Sequence, residues 1–268
     1  MATPVPFFGG KISQNYEDYL GPFLFEPYAV DFASRIDFNG VSQILELACG
    51  SGRLSRHIAA ALPPDVAFTA TDLSNDMITV AQDKVPNDQI KWMPADMLDL
   101  PFDDGSFDLV VCQFGLMIVP DHQKALSEIF RVLKRGGKIM FNAWSDLSYN
   151  KIWAIGDKVL KSLLGKSPMD QDPGPFALGA KDDVLNMLTR TGFSNMQAAL
   201  VTNIGETGSS KMAAYGFIYG LPIALFIQKE DPDLLETILQ TLDENLKTEL
   251  GDQPLRAPQK ALVFEAIK

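Results

Sequence analysis

Residues 44–55 read ILELACGSGRLS, and this stretch decides the fold. An apolar run that carries Glu46 and ends in Ala48 leads into Gly50 and Gly52, after which a helix can start. That order is a buried strand, a tight glycine turn and a helix N-terminus. Such a turn lets a ligand sit against bare main chain, with helix amides nearby to meet negative or polar groups. A Gly-x-Gly pair alone is weak evidence, because glycine turns follow strands in many α/β proteins. Its weight comes from the segments after it.

Between residues 41 and 141 strand and helix patterns alternate, as in a mostly parallel sheet covered on both faces. Strands are expected at 43–48, 67–71, 90–93, 107–113 and 138–142. Residues 107–113 (FDLVVCQ) are almost wholly apolar, which predicts a central strand. A helix at 53–62 is stopped by Pro63 and Pro64, and Ser74 has the chemistry of an N-cap for 75–84. Asp121 caps a helix in which Ala125, Ile129, Val132 and Leu133 recur at helical spacing, and Gly136 and Gly137 are expected to end it.

The second half is less regular. A helix is expected at 180–190, a strand at 195–202 and a last strand at 261–267. An insertion at 205–251 holds a helix opening at Pro232, with Leu235, Ile238, Leu239, Leu242 and Leu246 along one side. Another helix, with Pro27 near its first turn and Ala29, Phe32, Ala33 and Ile36 on one face, lies in the first forty residues. The reading is one α/β domain: a cofactor-binding core at 41–145 with helical additions at 1–40, 146–178 and 205–251.

Composition narrows the partners. A formal net charge of −11 over 268 residues argues against a main role on nucleic acid, where affinity rests on Lys and Arg at phosphates. Cys49 and Cys112 are the only cysteines and both lie in apolar runs, so buried reduced thiols are expected and no metal site. No basic segment followed by an apolar run opens the chain. The longest apolar stretch, 213–227, is interrupted by Pro222 and falls short of the roughly 20 residues a membrane span needs. A cytoplasmic protein without an integral membrane segment is expected.

Asp72 follows the second strand directly, about 20 residues beyond the glycine turn, where a carboxylate can accept from both hydroxyls of a ribose. Nicotinamide-dependent and S-adenosylmethionine-dependent enzymes share that acid, so it indicates a nucleoside without naming it. Ser55 stands where GxGxxG would place a third glycine. Asp96, after the short third strand, is placed to accept from an adenine amino group while a neighbouring main-chain amide donates to the ring.

Four ordered stretches, ELACGSGRLS, TDLSNDM, ADMLDLPFDDGSFDLVVCQFGLMIVPD and EIFRVLKRGGKIMFNAW, give the chain its resemblance to the class I S-adenosylmethionine-dependent methyltransferases. The group it resembles includes the ubiquinone and menaquinone biosynthesis C-methyltransferases. The resemblance covers about residues 44–144 and implies a doubly wound, mostly parallel seven-stranded sheet of the Rossmann-like methyltransferase kind; the helical additions are expected, from their apolar surface, to form a lid. It implies that Glu46, Ala48, Gly50 and Gly52 hold the methionine part of S-adenosylmethionine and that Asp72 holds the ribose. Leu73 and Met77 are then expected beside the adenine, Asp96 and Met97 at its edge, and Gln113 and Phe114 beside the sulfonium and its methyl. Ala48 departs from the family pattern, where glycine is usual; its methyl is tolerated if φ is negative there.

The expected chemistry is in-line displacement of the methyl by a nucleophile on a small, hydrophobic or aromatic acceptor, at carbon or oxygen. Holding two partners at near-attack distance supplies much of such an acceleration. His122 and His57 are the histidines to consider as bases, the first at a helix start and the second on the helix after the turn; neither is assigned. Tyr16, Tyr19 and Trp144 are candidate acceptor contacts, the two tyrosines as an N-terminal lid. Apolar surface from Phe114, Trp144, Trp153 and 215–226 suits an apolar acceptor, or else a homodimer contact. The rival readings are a non-catalytic S-adenosylmethionine sensor or scaffold and a nicotinamide-dependent oxidoreductase.

Overall fold

A computed structural model describes residues 9–86, 89–170 and 174–268. The first eight residues, where the absence of a secretory signal is expected, lie outside the described residues. Ten α-helices are described: α1 Lys11–Asn15, α2 Glu26–Ser34, α3 Arg53–Ala61, α4 Asn75–Lys84, α5 His122–Val132, α6 Lys151–Leu164, α7 Lys181–Thr191, α8 Ser210–Tyr219, α9 Ile223–Glu230 and α10 Leu235–Leu250. A π-helical segment, Tyr16–Phe25, joins α1 to α2. The strands are β1 Gln43–Leu47, β2 Ala67–Asp72, β3 Ile90–Pro94, β4 Phe107–Gln113, β5 Leu133–Trp144, β6 Ser194–Thr207 and β7 Leu255–Ile267.

These strands form one seven-stranded sheet in the order β3-β2-β1-β4-β5-β7-β6. β1 pairs parallel with both β2 and β4, so the winding reverses beside it. In open α/β sheets, ligands settle at such a switch point, outside the carboxyl ends of the strands. β4 lies between β1 and β5, and five of its seven residues are buried, which is why its sequence is an apolar run instead of an alternation. β7 enters antiparallel against β5, Lys138 facing Ile267 and Trp144 facing Ala261.

The chain divides into two compact units. One comprises Ala29–Ser145, Pro175–Val201 and Ala261–Lys268. Its core gathers Phe32, Ile44, Leu54, Ile58, Phe68, Leu109, Val111 and Met140 between the helices and the sheet. The other comprises Met1–Tyr28, Asp146–Gly174 and Thr202–Lys260. Here α8 packs on the π-helical segment and on α10, so closely that a Cβ on Gly216 would stand 2.8 Å from Cβ of Tyr19. Ala213, Phe217, Ile218, Ile238, Leu242 and Leu246 are buried, so the long apolar stretch is this unit's own core. Among the described residues no single helix is long and apolar enough to cross a membrane; α8 and α9 pass that test only as a pair bent by 72°.

Caps fall where the sequence puts them: Ser74 accepts from the Met77 N–H and Asp121 from the Lys124 N–H. The end of α5 differs. The helix stops at Val132, ahead of the glycines, because Leu133 is already paired with Phe107 across the sheet. Gly136 donates to the Lys268 carbonyl instead of ending a helix. β6 and β7 also run longer than expected, to Thr207 and from Leu255.

Candidate active site

The turn after β1 is built from left-handed main chain. Ala48, Gly50 and Gly52 have φ of 50°, 55° and 81°. The expectation of a negative φ at Ala48 is therefore corrected: the alanine occupies the conformation that favours glycine, at a cost of roughly 1–2 kcal/mol. What holds it is the pair of bonds around it. Cys49 donates to the Thr71 carbonyl at 2.9 Å and Gly52 to the Cys49 carbonyl at 3.0 Å. At Gly50 an added Cβ would meet nothing within 4 Å, so the turn faces open space. At Gly52 the same atom would press on Ala81 and Val85, both at 3.1 Å, so this glycine lets α4 approach.

Asp72, at the end of β2, is the second fixed point. One carboxylate oxygen accepts from the Gly50 N–H and the other from the Ser74 N–H, both at 2.8 Å. A carboxylate offers about four acceptor sites, so main-chain donors do not exhaust it and room remains for a ligand hydroxyl. Burial raises this carboxyl above its ordinary range, against the lowering effect of the Ser74, Gly50 and Leu73 main chain. Beside it Leu73 is 62 % exposed, an uncovered apolar side chain suited to the face of a flat base. Met77 is buried in α4 and contributes to the core.

Beneath the turn lies Glu46, 1 % exposed, whose carboxylate accepts from Ser55 Oγ at 2.6 Å. Burial pushes its pKa up to about 8, Ser55 pulls the other way, and the Asp72 charge adds to the rise. The carboxyl is thus mostly neutral at pH 7. Ser55, which the sequence marks only as a missing glycine, is its partner.

The exits of β3, β4 and β5 complete the site. Asp96 is exposed and its Oδ1 accepts from the Leu98 N–H at 2.8 Å, which tightens the loop carrying Met97. Gln113 ends β4, and Phe114 follows with a φ of 55°, its N–H held by Asn142 Oδ1 at 2.8 Å. The Phe114 ring stacks on Trp144, centroids 4.1 Å apart. Trp144 is fully buried, so the expectation that its ring offers surface to an acceptor is corrected; it backs Phe114.

Gly115 brings three loops together, since a Cβ there would stand 2.3 Å from Ala48 Cβ, 2.9 Å from Cys112 Sγ and 3.6 Å from Met97 Cε. Neither Gly115 nor Asn142 is identified by the sequence reading; the signal available was a glycine directly after an apolar strand.

Glu46, Ala48, Gly50, Gly52, Asp72, Leu73, Asp96, Met97, Gln113 and Phe114 thus lie in one unit on the turn and the adjoining strand ends. Tyr16 and Tyr19 belong to the other unit, where Tyr16 stacks on Phe25 and Tyr19 meets Tyr215. His122 Nε2 is 3.3 Å from the Met117 carbonyl. Cys49 and Cys112 are buried and unbridged; burial raises both thiols, Cys112 to about 12. Among the described residues no three His, Cys, Asp or Glu side chains group to hold a metal ion.

Residues 45–141 match the family described as a methyltransferase domain. The demethylmenaquinone methyltransferase of Staphylococcus aureus (strain JH9) is 28 % identical over 206 residues, covering 72 % of this chain and 86 % of that protein. Over these residues the chain carries a methyltransferase domain. Solved structures share the fold. A putative methyltransferase from Bacillus halodurans C-125 superposes with a TM-score of 0.56 at 20 % identity, covering 91 % of this chain and 98 % of that one. Phosphoethanolamine N-methyltransferase 2 of Haemonchus contortus, solved with phosphomonomethylethanolamine and S-adenosylhomocysteine, gives 0.59 at 17 %, covering 96 % and 57 %.

Proposed function

We propose that the enzyme moves the methyl group of S-adenosylmethionine onto carbon or oxygen of a small hydrophobic or aromatic acceptor. The observation that carries this reading is the turn at Gly50, open to a ligand and pinned to Asp72. The cofactor supplies a methyl made electrophilic by its sulfonium. Main chain at Ala48, Gly50 and Gly52 receives its methionine part above Glu46, Asp72 accepts from the ribose hydroxyls, and Leu73 lies against the adenine with Met77 behind. Asp96 and the Met97 main chain meet the edge of the base. Gln113 and Phe114 flank the reacting methyl.

The strand exits beside that methyl bear Gln113, Phe114, Asn142 and Trp144, which are amides and aromatics. Side chains of this kind orient and exclude water without moving a proton, so the acceleration expected from them is one of positioning, worth up to ~7–11 kcal/mol in model systems, and the proton that the methyl replaces on the acceptor is released to solvent. The relative's acceptor, by its name, is a demethylmenaquinone. An apolar acceptor of that kind suits the helical unit with its tyrosines at 16, 19, 215 and 219, which we assign to acceptor selection.

The test is twofold. Calorimetry of the purified chain should detect uptake of S-adenosylhomocysteine, and labelled S-adenosylmethionine with a panel of quinols and phenols should give S-adenosylhomocysteine and a methylated product. Uptake without turnover on any acceptor would favour a sensor or scaffold. No uptake would remove the reading.

A further inference from the structure

Asn142 stands on β5 opposite Gln113 of β4 and is fully buried. Its Oδ1 accepts from the Phe114 N–H at 2.8 Å. A main-chain N–H only donates, so the side-chain atom facing it must be the oxygen, and the orientation of the amide is thereby fixed. The other end, Nδ2, is buried with no hydrogen-bond partner among the described residues. A leucine would fill the same space without burying that donor, so packing alone does not account for an amide here.

The bond Asn142 makes falls on a strained residue. Phe114 has a φ of 55°, a conformation that bulky side chains rarely adopt and that needs support from its surroundings. Its ring is set on Trp144, and the next residue, Gly115, comes against Ala48. Ala48 opens the glycine turn and is itself left-handed. Contacts therefore run without a gap from Asn142 through Phe114 and Gly115 to the turn, all within one unit.

We propose that Asn142 is a positioning residue of the methyl-transfer site, whose amide oxygen fixes the main chain of Phe114 and, through Gly115 and Ala48, the shape of the cofactor turn. This rests on the reading of that turn as the place of S-adenosylmethionine. Calorimetry of the full chain with S-adenosylhomocysteine, beside thermal midpoints, tests it on wild type, Asn142→Leu and Asn142→Asp. Leucine removes the acceptor and should weaken binding roughly tenfold, the scale of one lost hydrogen bond. Aspartate offers an oxygen to the same N–H and should restore affinity to within about threefold of wild type. Leucine binding as well as wild type, or aspartate binding as poorly as leucine, overturns the proposal while leaving the cofactor reading intact. No uptake by the wild type overturns both. Should the leucine variant not fold, Asn142→Ala replaces it in the same comparison.

Discussion

Gly115→Ala should damage the enzyme, and Ala48→Gly should repair the damage. Gly115 has φ −94° and ψ −41°, ordinary for alanine, so the substitution adds no main-chain strain and its effect is one of space alone. The new methyl would stand 2.3 Å from Ala48 Cβ, where carbon atoms rest at roughly 3.5–4.0 Å. A second contact, 2.9 Å to Cys112 Sγ, blocks escape in that direction. Overpacking of this kind costs about 1–3 kcal/mol, and the upper part of that range applies because Ala48 belongs to a hydrogen-bonded turn. Ala48→Gly alone is close to neutral: it relieves roughly 1–2 kcal/mol of left-handed strain and returns about 0.5–1 kcal/mol of unfolded-chain entropy.

In the double variant the 2.3 Å contact is gone and only the sulfur contact remains, so the residual cost should be about 1 kcal/mol. Urea unfolding of the four proteins should therefore give a coupling of about 1–2 kcal/mol between the two sites, well outside the ~0.3–0.5 kcal/mol scatter of independent positions. Affinity for S-adenosylhomocysteine should follow the same order, falling in Gly115→Ala and recovering in the double variant. Additive effects would show that the two loops do not touch as described, and the geometry assigned to the turn would be wrong.

Four further outcomes are expected. Glu46 holds its proton up to about pH 8 in the folded chain and loses it near 4.5 when unfolded, so the folded state binds more protons between those values and stability falls as pH rises. Urea unfolding at pH 5.5 and 7.5 should show wild type losing up to about 2–3 kcal/mol more than Glu46→Gln over that interval; equal slopes would contradict the assignment. Asp72→Asn keeps one oxygen for two main-chain donors and should lose about 1–3 kcal/mol of stability and at least about tenfold in S-adenosylhomocysteine affinity, readable by calorimetry. Asn150→Ala, which deletes bonds from a fully buried amide to the Asp146 and Lys260 main chain, should cost roughly 2–4 kcal/mol in urea and leave cofactor affinity unchanged. Ellman's reagent at pH 8 should find neither thiol in the native enzyme and both in denaturant, since Cys49 and Cys112 are buried and shifted upward.

The parts legible in the sequence are those set by short-range rules. A glycine pair after an apolar run, an acid after the next strand, and Ser74 and Asp121 before helices each need only a few neighbouring residues to be read. β4 was legible as a central strand because burial on both faces leaves a continuous apolar run. The end of α5 was not, because Leu133 is claimed by Phe107, a partner 26 residues away, before the glycines are reached. The helical unit was hardest to read. Its pieces come from three separated stretches, and nothing local marks Gly216 as the residue that lets α8 lie against Tyr19.

Ala48 shows why local rules fail at the site itself. Alanine prefers negative φ, and a reading from residue type alone places it there. The fold overrules that preference because Asp72 and the Thr71 carbonyl take the Gly50 and Cys49 amides, which leaves one path for the chain between β1 and Gly52. Strain of roughly 1–2 kcal/mol at one alanine is small beside two main-chain bonds and an aligned turn. The methyl it adds is then accommodated from the other side, by a residue without a side chain at position 115. The departure from the usual glycine and the glycine after β4 are thus one feature, and either is intelligible only when the other is in view.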